Sequence, residues 1–97
     1  VKTDFSPEAL ADLDALHDYI AEDKPGAAQR WVAKLISMAE FAALYPLAGR
    51  MVPEVGDPAV REVVFRNYRI IYRLEQKRLL VLTVIERHRR LRARSEK

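Results

Sequence analysis

The chain has 97 residues, 49% hydrophobic and 32% charged, with no cysteine and a formal net charge of +3. That length suits one modest hydrophobic core, read as a single domain over residues 1–97, and the composition is that of a chain that folds. Without thiols there is no disulfide framework, thiolate metal site or cysteine nucleophile, and no window is apolar enough for a membrane span. A reducing cytoplasm is the expected setting.

Lys2–Phe5 offers a short opening strand. Ser6-Pro7-Glu8 then carries helix-start chemistry: a capping hydroxyl, a proline tolerated in the first turn, and an acid that complements the helix dipole. Leu10, Leu13, Leu16 and Ile20 recur at spacings of three and four, so a helix is predicted over about 7–22, with Asp12, Asp14, Asp18 and Glu22 largely off its apolar stripe. Pro25-Gly26 breaks the run. A longer second helix follows on the stripe Ala28, Trp31, Leu35, Met38, Ala42 and Tyr45, and Pro46 ends it. The short connection makes the two helices an antiparallel hairpin whose stripes need a third surface to cover them.

Glycines and prolines between Leu47 and Pro58 mark a loop, with a possible short strand at Met51 and Val52. The period then changes to two. Tyr68, Ile70, Tyr72 and Leu74 alternate with Arg69, Ile71, Arg73 and Glu75, which predicts a half-buried antiparallel strand. Val63-Val64-Phe65 precedes it across Arg66-Asn67, where Asn67 is the residue expected to tolerate a left-handed turn. After a turn at Glu75–Arg78, Leu79–Ile85 is apolar on both faces, marking a central or helix-covered strand. The fold class is therefore α+β: an N-terminal antiparallel helical hairpin packed on a small, mostly antiparallel sheet of three to four strands, followed by a basic tail over 87–97.

Charge is divided unevenly. Residues 1–45 carry four basic against eight acidic groups, and residues 46–97 carry thirteen against six. The second half thus presents arginine, whose planar fork suits phosphate and carboxylate alike. Arg69 and Arg73, four apart on one strand, share a face about 13 Å apart, and Arg61 lies on the preceding strand. Arg87, His88, Arg89 and Arg90 follow the last one. Taken singly, each arginine reads as a solvated residue or an ion-pair partner of Glu62 or Glu75; taken together they read as an anion-binding surface. His88 has the chemistry of a general base, whereas His17 reads as a helix-surface residue. The two histidines lack metal-ligand spacing, the three glycines are dispersed rather than gathered in a phosphate loop, and no serine carries a hydrolase motif, so neither metal nor cofactor is expected.

Ala11-Asp12-Leu13 on the first helix, the tryptophan-bearing second helix, Gly49-Arg50, Val52-Pro53-Glu54, Arg61-Glu62, Asn67-Tyr68-Arg69-Ile70-Ile71-Tyr72-Arg73 and His88-Arg89-Arg90, in that order, resemble the ParE/RelE family of bacterial type II toxins. The resemblance covers nearly the whole chain and implies that the opening strand joins the sheet. The length of the helical hairpin and the Gly-Arg then Pro-Glu loop are more similar to ParE than to RelE. ParE-like members imply a non-enzymatic inhibitor of DNA gyrase. RelE-like members imply a ribosome-dependent mRNA endoribonuclease, for which Arg61, Arg69, Arg87 and His88 would be the catalytic set; no tyrosine follows Arg87 to complete it. A plain nucleic-acid-binding module is the third reading. The resemblance also implies a hetero-oligomer with a cognate antitoxin whose acidic tail folds onto the toxin. Antitoxin or target binding is assigned to Arg50, Glu54, Arg61, Arg69, Arg73, Arg87, His88, Arg89 and Arg90.

Overall fold

The computed structural model describes residues 1–89. In chain order it runs β1 (Lys2–Phe5), α1 (Pro7–Asp23), α2 (Pro25–Leu44), a 3-10 turn (Pro46–Ala48), β2 (Arg50–Met51), β3 (Val60–Phe65), β4 (Tyr68–Leu74) and β5 (Arg78–Glu86). The strands make one sheet in the order β1-β5-β4-β3-β2, with β1 parallel to β5 and the other neighbours antiparallel. The α+β class and the helical hairpin are those the sequence predicts. The sheet has five strands rather than three or four, because the short segments β1 and β2 both pair and become its two edges. Its middle strand is β4; β5 lies beside it, flanked on both sides and packed under α1.

Ser6 caps α1, its Oγ accepting from the Ala9 amide at 3.0 Å and donating to the Leu82 carbonyl at 2.8 Å. Lys24 alone separates the helices, its amide closing α1 on the Ile20 carbonyl. Buried Ala9, Leu13 and Leu16 of α1 and Leu35, Ala39, Ala42 and Ala43 of α2 form the helical side of the main core. The alanines on this face hold little volume, so the helices can approach the sheet closely. Tyr45 lies outside this face: it is the exposed C-cap of α2 and packs on Phe41 with ring centroids 5.1 Å apart. From the sheet, Ile70, Tyr72, Leu79 and Val81 complete the core.

A second, smaller cluster of Val52, Val60 and Ile71, joined by Leu82 and Ile85, covers the opposite face. It is built by the loop after β2, which turns back on itself where the Gly56 amide reaches the Val52 carbonyl at 3.0 Å, with Gly56 at φ +71°. β4 is consequently buried on both sides along its middle, Arg69 to Tyr72, and not half-buried as its alternation predicts.

Two local features also differ from expectation. Arg66, not Asn67, takes the left-handed conformation in the β3–β4 turn, at φ 53°. Its guanidinium lies 5.7 Å over the Trp31 ring and 5.6 Å over that of Phe65, and these cation–π contacts hold a non-glycine residue in a costly backbone region. Asp12, expected largely off the apolar stripe, faces the sheet. The β4–β5 register shifts between Ile71 and Tyr72, leaving Leu82 without a partner on β4. Asp12 Oδ2 accepts from the Val84 amide at 3.0 Å and from the Thr83 hydroxyl, so α1 is bonded to β5 just beyond the bulge.

Candidate functional site

The β3–β4 register sets Val64 opposite Arg69 and Glu62 opposite Ile71, which puts Glu62 and Arg69 diagonally on the face away from the helices. β2 adds Arg50 directly opposite Glu62, and the following loop returns Glu54. Four charged groups from four chain segments therefore converge. Arg69 Nε donates to Glu62 Oε1 at 2.7 Å, while its Nη1 and Nη2 clasp Glu54 at 2.8 and 2.9 Å. Arg50 Nε donates to the other oxygen of Glu62. A further bond runs from Arg69 Nη1 to the Arg89 carbonyl oxygen at 2.7 Å.

Burial gives this network its character. The Arg69 side chain is 5% exposed and that of Glu62 0%, whereas that of Arg50 is 67% exposed. Hydrogen bonding to Glu54, and secondarily to Glu62, holds the Arg69 guanidinium above the ordinary arginine value against the opposing effect of burial. A buried guanidinium shared between two carboxylates is committed to them. Arg69 is thus a structural centre and not the outward anion ligand that its strand position suggests.

Above the network opens a cleft of about 290 Å³ lined by Arg50, Pro53, Glu54, Arg69, Arg87, His88 and Arg89. Glu54 and Glu62 offset Arg50 and Arg69, so Arg87 and Arg89, both exposed, supply its excess positive charge. Of the residues assigned to binding, Arg50, Glu54, Arg69, Arg87, His88 and Arg89 come together here. Arg61 does not: it donates to the Gly49 carbonyl at 2.9 Å and the Pro58 carbonyl at 3.0 Å, tying the loop to β3. Arg73 pairs with Glu75 at 3.7 Å, outside the cleft. Arg90 lies outside the described residues. The catalytic set of the nuclease reading is split accordingly, with Arg61 apart from Arg69, Arg87 and His88.

Gly49 is required by close approach, since a Cβ there would run into Tyr72 Oη and come within 2.8 Å of the Glu62 carbonyl oxygen. Tyr72 Oη in turn donates to the Pro46 carbonyl at 2.9 Å, fixing the chain that leads into β2. Glu62 is the residue that sequence reasoning left as one possible ion-pair partner among two. The signal was available: a two-residue turn at Arg66-Asn67 aligns Phe65 with Tyr68, and counting back puts Glu62 beside Arg69 on one face. Among the described residues no group of three or more His, Asp or Glu side chains is placed to hold a metal ion, and no helix is long and apolar enough to cross a membrane.

With this geometry in place, a family model described as the ParE toxin of the type II toxin-antitoxin system parDE matches residues 4–91. The chain belongs to the ParE toxin family. It is also 49% identical over 43 residues to Toxin RelE2 of Caulobacter vibrioides, a stretch that is 44% of this chain and 49% of that protein; the match thus spans about half the length of this curated relative. Among solved structures, the chromosomal ParDE toxin-antitoxin system from P. aeruginosa aligns with a TM-score of 0.75 at 20% identity, covering 89% of this chain and 95% of that one. This last likeness is one of fold: a helical hairpin on a strand meander, shared where the side chains are largely different.

Proposed function

We propose that this ParE-family chain inhibits bacterial growth by binding DNA gyrase in the cytoplasm and that a cognate antitoxin neutralises it. The observation that carries the reading is the exposed cationic rim of Arg87, His88 and Arg89, with Arg50 beside it, set on a base whose own charges are internally paired. Such a rim is a contact surface for carboxylate or phosphate on a large partner. It acts by binding: the cleft is open, and its one buried arginine is engaged by protein carboxylates and by a backbone carbonyl. An acidic antitoxin segment laid across the same rim would occlude it, which accounts for neutralisation without a second site. The ribonuclease reading would need Arg61 within reach of Arg87 and His88, and Arg61 is spent on the Gly49 and Pro58 carbonyls.

The test is gyrase supercoiling by purified components, without ribosomes. Stoichiometric chain should block supercoiling, and its induction in cells should trigger the DNA-damage response. Intact supercoiling at molar excess, together with codon-dependent mRNA cleavage in a translating extract, would instead establish the nuclease.

A further inference from the structure

The contact between Arg69 Nη1 and the Arg89 carbonyl oxygen, at 2.7 Å, joins the buried centre of the sheet to the exposed turn that carries the rim. The turn has two backbone bonds of its own: the Arg87 amide donates to the Asn67 carbonyl at 2.6 Å and the Arg89 amide to the Glu86 carbonyl at 3.0 Å. These fix how the chain leaves β5 but do not press it against the cleft. Arg69 does so, and its aim is fixed by other groups. Its Nε is held by Glu62 and both terminal nitrogens by Glu54, so the plane of the fork cannot rotate and the remaining Nη1 donor points in one direction. Because the acceptor is backbone, the bond selects where the chain runs, whichever side chain stands at that position.

We propose that Arg69 is a positioning residue: oriented by Glu54 and Glu62, it seats the 86–89 turn so that Arg87, His88 and Arg89 lie along the cleft. The inference rests on reading those three side chains as the target contact. A lysine at position 69 would keep the charge, but one nitrogen cannot serve Glu62, both oxygens of Glu54 and the Arg89 carbonyl together.

The experiment compares the parent chain with Arg69→Lys and Glu54→Gln, by backbone amide exchange and by gyrase inhibition. In Arg69→Lys the Arg87 and Arg89 amides should exchange about tenfold faster beyond any acceleration shared by the Leu35 and Val81 amides, which report loss of global stability. Glu54→Gln, which leaves Glu62 on Arg69, should give a smaller acceleration of the same amides, and it carries the test alone if Arg69→Lys does not fold. Inhibition should fall in the same order. Parental exchange at Arg87 and Arg89 in every variant that folds, or acceleration matched by the core amides, overturns the positioning role. Undiminished inhibition by Arg87→Ala and Arg89→Ala would instead remove the reading of the rim, and the exchange data would still decide whether Arg69 orders the turn.

Discussion

The two faces of the sheet are filled by different physics. Against the helices, Ile70, Tyr72, Leu79 and Val81 meet leucine and alanine, and the packing is almost wholly carbon. On the far face a cluster of three buried residues, Val52, Val60 and Ile71, sits beside a quartet of charge in which Glu62 and Arg69 are buried, Glu54 is nearly so and Arg50 is exposed. The apolar face tolerates exchange of shape as long as volume is kept, whereas the charged face depends on every member being present, because a buried ion left alone costs far more than a pair contributes. Alternation in a strand tells which side chains share a face. It does not tell whether that face meets water.

The contrast is sharpest at Glu62. Glu62→Ala should destabilise the chain by about 3–5 kcal/mol in urea unfolding, since it leaves the buried Arg69 Nε donor unsatisfied and removes the carboxylate that Arg50 pairs with. The triple replacement Glu54→Gln, Glu62→Leu and Arg69→Met, which removes the Arg69 charge and both of its carboxylates together, should recover most of that loss; failure to recover would mean that the quartet holds the fold together rather than merely balancing itself. On the carbon face, Leu35→Ala, at a site 1% exposed, should cost about 2–5 kcal/mol through lost burial and a cavity, with no rescue from a charge change. Gly49→Ala, where both faces are tied to the loop entrance, should cost about 1–3 kcal/mol by forcing Tyr72 or the Glu62 backbone to shift. A pH titration separates the faces further. Burial raises the phenols of Tyr68 and Tyr72, both on the helix-side core, above their ordinary value of 10.0. Below that pH their contribution to stability is whole; as pH rises through the folded values the unfolded chain ionises first, and stability falls. Tyr68→Phe should flatten that alkaline decline, measured as urea midpoints between about pH 8 and 11. Arg87→Ala and Arg89→Ala, at the exposed rim, should change stability by less than about 0.5 kcal/mol and abolish growth inhibition.

These contrasts also mark what could be read without coordinates. Helical periodicity located α1 and α2 to within a residue or two, and the alternation of 68–75 located β4, because a 3.6-residue and a two-residue period are intrinsic to the backbone. Tyr45 was misplaced because the stripe continues one step past the point where the helix stops. Helical spacing sets Asp12 largely off the apolar stripe but does not tell that β5, distant in sequence, brings the Val84 amide and the Thr83 hydroxyl to it. At the candidate site, the arginine content was legible and so was the cluster after β5. The division of labour within it was not: which arginine is buried depends on where the loop from Val52 to Asp57 folds, and that follows from tertiary packing rather than from any local preference. Arg61 and Arg69 look alike in the sequence, yet one pins a loop and the other anchors a turn.

The bonds that join α1 to β5 have a consequence for how the chain comes into being. Ser6 reaches Leu82 and Asp12 reaches Thr83 and Val84 across more than seventy positions, and among the described residues β1 pairs only with β5. The helical hairpin, made first, cannot complete its contacts until the last strand has been synthesised and docked, and pairings of such long range are slow to form. During translation the molecule therefore exists for a time as an unclosed hairpin with its cationic rim not yet seated. On the proposed function, the interval between synthesis and closure is a period in which a neutralising partner already present would meet the chain before it acts.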